Sequence, residues 1–274
     1  MSGTFEHAPL IEFILELRWT PGGGGPAGGI PPGLTITFGG FEERFFELLG
    51  EALSARGLSR AERLLPAGVP STPSQLIWRW RPGPDYPRMA VVSAGMGALS
   101  VSALGDAYES WAAFRPQVVL LLEDLIRVRT MSGDTGPFNY LVMRYLNGFD
   151  SQLRGERSTA DFISEVLGFR VDIPDCVGQL GTRSPASIGP ITVQAGGEDG
   201  VQWVLTAADG RRNGQQLAVL DMAGYVSNIV RPEVPVLMDR FDSLWRTLDG
   251  TFLTLTSKIH DMMGRRGSGE GSGV

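Results

Sequence analysis

Glu12 and Glu16 are the first side chains in this 274-residue chain whose type and spacing could do chemistry, because two carboxylates can divide the work of general acid and base. Four positions apart in an extended segment, they share one face at a separation of about 13 Å, taking ~3.3 Å per residue. A retaining glycosidase needs its pair ~5–5.5 Å apart and an inverting one ~6.5–9.5 Å. The spacing therefore points to ion pairs with Arg18, Arg79 or Arg81 across a sheet, or to a polar sheet face that meets a ligand. His260 beside Asp261 invites comparison with a Ser-His-Asp triad, but the chain has no G-x-S-x-G elbow and adjacent helical positions point apart. It reads as a structural histidine, as does His7.

Other motifs weaken under the same scrutiny. Gly95-Met96-Gly97 precedes a strand instead of opening a helix, so it is expected to be a hairpin turn and not a dinucleotide fingerprint. Gly22 to Gly25 lacks the Lys and Ser/Thr of a phosphate-binding loop. Cys176, the single cysteine, lies near Asp172 and Asp175, which raise a thiol pKa and disfavour a reactive thiolate. One thiol and two distant histidines give neither a disulfide nor a zinc scaffold. Of the 24 basic residues only Lys258 is a lysine, and no glycine-rich loop precedes it, which argues against Schiff-base or phosphate-cradling chemistry. No cofactor or metal is expected.

The elements that must position these residues follow from periodicity. Ile11, Phe13, Leu15, Leu17 and Trp19 alternate with polar neighbours as in a half-buried strand. A Gly/Pro-rich loop over 21–33 follows, then an amphipathic helix from Phe41 to Arg56 ended by Gly57. Strands are expected at Gln75 to Arg81, Arg88 to Ala94 and Ala98 to Ala103, and then a helix capped by Asp106 that Pro116 should kink or restart. The order repeats: a strand from Phe138 to Asn147, a short helix from Thr159 to Leu167, strands near Ile188 to Ala195, Val201 to Ala207 and Leu217 to Met222, and one long helix from Val234 to Met263. This predicts an α+β fold of two pseudo-repeated β-α-β-β-β-α halves, 1–131 and 132–264, with antiparallel sheet covered by helices and a disordered tail over 265–274.

Alternation then assigns faces. Trp78 and Trp80 fall on one side of a strand and Arg79 and Arg81 on the other, where Glu12, Glu16, Ser100 and Ser102 could join them in a polar surface. Arg144 and Asn147 sit at the end of the fifth expected strand on opposite faces, so that one braces a turn. Asp221 ends a strand, where a cap or turn role is expected.

Ala8 to Trp19 contains Pro9-Leu10-x-Glu12-x-x-x-Glu16-x-Arg18, and further on come Tyr108-x-x-Trp111-x-x-Phe114, Arg144-Tyr145-Leu146-Asn147, and Leu220-Asp221-Met222 before a terminal helix holding Phe252. In that order these motifs resemble a sporadically distributed family of uncharacterised bacterial and archaeal proteins. The chain departs from it at Trp245, where the resemblance implies a histidine, and in the glycine-rich stretch Gly22 to Gly29, which looks like an insertion. The resemblance brings no established activity; the family's patchy distribution associates it with mobile genes such as defence or toxin-neutralising modules.

A formal net charge of −6 weighs against nucleic acid as partner. No apolar run approaches the ~18 residues of a membrane helix, and Met1 to Ala8 lack the basic and apolar regions of a signal peptide, so a cytoplasmic location is expected. The expected function is that of a non-enzymatic interaction or regulatory protein whose partner is another protein, met through Glu12, Glu16, Arg18, Arg79, Arg81, Arg144, Asn147 and Asp221. The alternative is a binder of a small anionic ligand, or an enzyme, with a pocket between the halves. A homodimer is compatible with either.

Overall fold

Strand β1 (Leu10–Trp19) organises the molecule. Its alternation buries Phe13, Leu15, Leu17 and Trp19 almost completely and turns Glu12, Ile14, Glu16 and Arg18 to the opposite face. The computed structural model describes residues 5–21, 41–66, 69, 72, 74–84, 90–105, 107–170 and 189–264. The loop beyond Pro21, Asp106, Cys176 with its two aspartates, and the 265–274 tail lie outside the described residues.

Helix α1 (Phe41–Ala55) follows, then β2 (Arg60–Arg63), β3 (Trp78–Arg81), β4 (Val91–Gly95), β5 (Ala98–Leu104) and α2 (Trp111–Met131). Next come β6 (Phe138–Phe149), α3 (Ser151–Arg154), and α4 (Thr159–Asp161), which runs on into a π-helical turn over Phe162–Val166. The chain then forms β7 (Ile191–Gly196), β8 (Val201–Arg212), β9 (Gln215–Val226), α5 (Val234–Leu255) and, after a 3-10 turn, α6 (His260–Met263). The nine strands among the described residues join one antiparallel sheet in the order β2-β3-β4-β5-β1-β6-β9-β8-β7. The two expected three-strand meanders are present as β3-β4-β5 and β7-β8-β9, and Gly97, with φ +87°, makes the tight turn between β4 and β5.

The helices pack on one face. Phe45 of α1 meets Trp19 and Phe46 meets Trp78; Trp111 and Phe114 of α2 meet Phe13; Phe162 meets Phe149. At Gly224 in β9 a Cβ would lie 2.5 Å from the Trp203 ring and 2.8 Å from Leu244 Cδ2 of α5, so only glycine lets that helix and Trp203 approach the strand. On the same side Arg129 is buried against Trp19 and Phe138, each ring centroid 4.6 Å from its guanidinium carbon. Its charge is met by Asp134 at 3.0 Å and by the Gly136 carbonyl at 2.7 Å. Burial pulls its pKa below the ordinary arginine value.

Several expectations need correction. Strand β2 was not anticipated: all four residues are exposed and three are charged, so no alternation marks it. Helix α2 is capped by Ser110, whose hydroxyl accepts from Ala113 N, and begins after Tyr108. Pro116 does not restart that helix; it sits on the exposed side, where the Ala112 carbonyl it leaves unbonded can reach water. The stretch from Val234 to Met263 is not one helix, because α5 ends at Leu255 and the chain passes through a 3-10 turn, Ser257–Ile259, before α6. Strands β6 and β9 outrun their expected ends at Asn147 and Met222. No helix among the described residues is long and apolar enough to cross a membrane.

Candidate functional site: the polar face of the sheet

Ladder registers place seven of the eight expected site residues on the face opposite the helices. Arg79 pairs with Ser93, Ser93 with Ser100, Ser100 with Glu16, Glu16 with Val142 and Val142 with Tyr225, so one row crosses six strands with every side chain on that side. Glu12, Arg18, Arg81, Arg144 and Asp221 share its parity. Asn147 does not. It lies on the helix face, fully buried, and its Nδ2 donates to the Leu220 carbonyl at 3.3 Å, which braces the neighbouring strand and not a turn. The expected opposition of Arg144 and Asn147, and that of Trp78 and Trp80 to Arg79 and Arg81, are both present.

Two clusters stand on the polar face. At the centre, on β1, β6 and β9, Arg18 Nε donates to Glu16 Oε1 at 2.5 Å while its guanidinium lies 5.3 Å over the Tyr140 ring. Tyr140 in turn meets Tyr225, centroids 5.8 Å apart. Arg144 donates to both carboxylate oxygens of Asp221, at 2.7 and 2.5 Å, and the Ser102 hydroxyl donates to Glu12. The hydrogen bond to Asp221 raises the Arg144 pKa, and burial raises those of Tyr140 and Tyr225, so all three keep their ordinary charge states near neutrality. Asp221 lies in mid-strand and holds an arginine; it is neither a cap nor a turn residue, because β9 continues to Val226.

The second cluster lies on β2 and β3. Arg81 Nε reaches Glu62 at 3.4 Å, Arg79 Nε donates to Ser93 Oγ at 3.4 Å, and Arg60 Nε donates to the Pro82 carbonyl. Three strand spacings of ~4.8 Å, about 14 Å in all, separate β3 from β1. Arg79 and Arg81 therefore do not pair with Glu12 or Glu16, whose partners are Ser102 and Arg18. Sequence reasoning missed Tyr140 and Tyr225. Tyr140 shares the parity of Arg144 on β6 and was legible by counting, whereas Tyr225 needed the true length of β9.

Clefts away from these clusters, among the described residues, include two of similar size. One, of about 380 Å³, is bounded by His7, Ile11, Asp150, Arg212 and Gln215, and the other, of about 400 Å³, lies between α1 and α2 beside Arg56 and Leu120. Neither is lined by Arg18, Arg79 or Arg144. His260 is half-buried beside Thr256, with its ring 5.0 Å from that of Phe5, and Asp261 is exposed. Trp245 packs against the core on the helix side. Among the described residues no group of three or more His, Cys, Asp or Glu side chains is arranged to hold a metal ion. Comparisons with known protein families, with curated proteins and with solved structures find no match to this chain.

Proposed function

We propose that this chain is a non-enzymatic cytoplasmic interaction protein that captures a protein partner on the polar face of its sheet. The observation that carries the reading is that α1, α2, α5 and the π-helical turn all pack on one face of the sheet. The other presents tyrosines and arginines mixed with half-buried Ile14, Leu146 and Val204, a composition enriched where proteins bind proteins. The arginines of β2 and β3 exceed the single Glu62 beside them, which favours an acidic patch on the partner. We read the two halves as pseudo-repeats. In support, β1 and β6 form the central antiparallel pair, each is flanked by the last strand of its own half, and a meander leads outward on both sides; β2 is then an addition to the first half. The resemblance to a sporadically distributed family adds the proposal of a mobile-gene module of defence or toxin neutralisation.

A second reading, a small-ligand binder or an enzyme, draws on the cleft of about 380 Å³, which takes residues from both halves and falls at the lower end of ligand-pocket volumes, ~300–1,000 Å³. Affinity recovery from the native host separates the two. Arg79→Gln with Arg81→Gln, and separately Tyr225→Ala, should each abolish recovery of the partner that wild type captures, while the thermal midpoint changes little. Undiminished recovery with both variants would overturn the sheet-face reading.

A further inference from the structure

Strand β7 forms one edge of the sheet. On its inner side it pairs with β8 without a register shift, from Ile191 opposite Ala207 to Gly196 opposite Gln202. Among the described residues no strand lies on its outer side, and Thr192 through Gly196 are exposed. Such an edge offers a row of unpaired N–H and C=O groups whose complement is another extended strand. Natural edges are guarded by charge, proline or a bulge. Ile191-Thr-Val-Gln-Ala-Gly196 has none of these. The other edge, β2, is guarded, with arginine or glutamate at three of its four positions.

That asymmetry selects the occupant. Continuous growth would require β7 of one copy to lie on the short, charged β2 of the next, whereas β7 against β7 uses the unguarded edge twice and closes after two copies. A two-fold axis perpendicular to the sheet keeps both helix layers on one side, so residues of equal parity must face each other. Centred on Val193, such a pair sets Val193 opposite its counterpart and Ile191 opposite Ala195 of the second copy on the helix side, with Thr192 opposite Gln194 on the polar side. Val193 is 48% exposed in the single chain, and this contact covers it. We propose that β7 is a homodimer interface, through which two chains join edge to edge into one continuous antiparallel sheet with both polar faces on the same side.

Light scattering on the full chain over about 1–100 µM tests this. Wild type should pass from one to two chain masses as concentration rises. Val193→Lys, which sets two ammonium groups together at the axis, should raise the dissociation constant at least about 10-fold with the thermal midpoint nearly unchanged. Val193→Cys in a Cys176→Ser background should cross-link to a covalent dimer on mild oxidation, which keeps the test decisive if the lysine variant folds poorly. A single chain mass at every concentration, open-ended assembly, or a dimer that survives Val193→Lys and does not cross-link through Cys at 193 would overturn the proposal. Dimerisation does not depend on the sheet-face reading, so the double variant Arg79→Gln, Arg81→Gln should dimerise as wild type does.

Discussion

Arg144 and Asp221, 77 residues apart in the chain, meet fork to fork on the polar face through hydrogen bonds of 2.7 and 2.5 Å. They are diagonal neighbours: Arg144 stands opposite Ala223, and Asp221 opposite Leu146. A pair set this way depends on the register of β6 against β9, since a slip of one residue would send the two side chains to opposite faces.

Their contribution to stability should nevertheless be small. The Arg144 side chain is 41% exposed, and solvent screens such pairs to about 0–1 kcal/mol. A double-mutant cycle of Arg144→Gln and Asp221→Asn in urea should return a coupling energy within that range.

The buried pair should behave differently. Removing Asp134 leaves the Arg129 guanidinium without a counter-charge in a site only 1% exposed. Asp134→Ala is expected to cost about 3–5 kcal/mol of unfolding free energy. Arg129→Met combined with Asp134→Leu should recover part of that loss, and denaturant titration of the three chains reads both effects.

Acid should unfold the protein partly through two aspartates that tie helices together. Burial pushes the Asp124 carboxyl up, but Arg56 and Arg127 more than offset it and hold its pKa below the ordinary 3.8. Burial likewise acts on Asp242, and Arg115 with the Trp111 indole N–H brings it below 3.8. A carboxyl with a lowered folded-state pKa lends stability that is fully present above the unfolded value and is lost as pH falls through the folded one. Thermal midpoints should therefore fall on acidification below about pH 4, and Asp124→Asn with Asp242→Asn should flatten that limb while lowering the midpoint at neutral pH.

Two glycines should respond to alanine with opposite signs. At Gly105 a Cβ would sit 1.9 Å from the Leu10 carbonyl oxygen, a backbone clash that Gly105→Ala cannot relieve without moving β1, and a loss beyond about 3 kcal/mol is expected. At Gly250, inside α5, nothing lies within 4 Å, so Gly250→Ala should stabilise by about 0.8–1 kcal/mol through helix propensity. Chemical denaturation distinguishes the two.

What the sequence made legible was whatever burial writes as a period. Leu10 to Trp19, Trp78 to Arg81 and the stripe of α5 each expose one face and hide the other, so both the elements and their facing could be read. Strand β2 was silent because an edge strand with no buried side has no period to show. The far end of β9 was silent for the opposite reason: Gly224 is small because Trp203 and Leu244 crowd the strand on its helix side, and that crowding belongs to distant parts of the chain. Site residues could be assigned to a face but not to partners. Glu16 with Arg18 is local, whereas Glu12 with Ser102, Arg81 with Glu62 and Arg144 with Asp221 exist only once the ladder order is known.

The position of β1 has a kinetic consequence. It lies in the middle of the sheet, yet its two neighbours are β5 and β6, whose residues come at 98–104 and 138–149. At about 5–20 residues per second a ribosome needs roughly 4–16 s to travel from Trp19 to Ala98, and longer to reach β6. Throughout that time a strand that buries Phe13, Leu15, Leu17 and Trp19 in the finished fold has neither neighbour to pair with. Its closure then joins segments distant in sequence, the kind of contact that slows folding and leaves a nascent chain open to aggregation and dependent on chaperones.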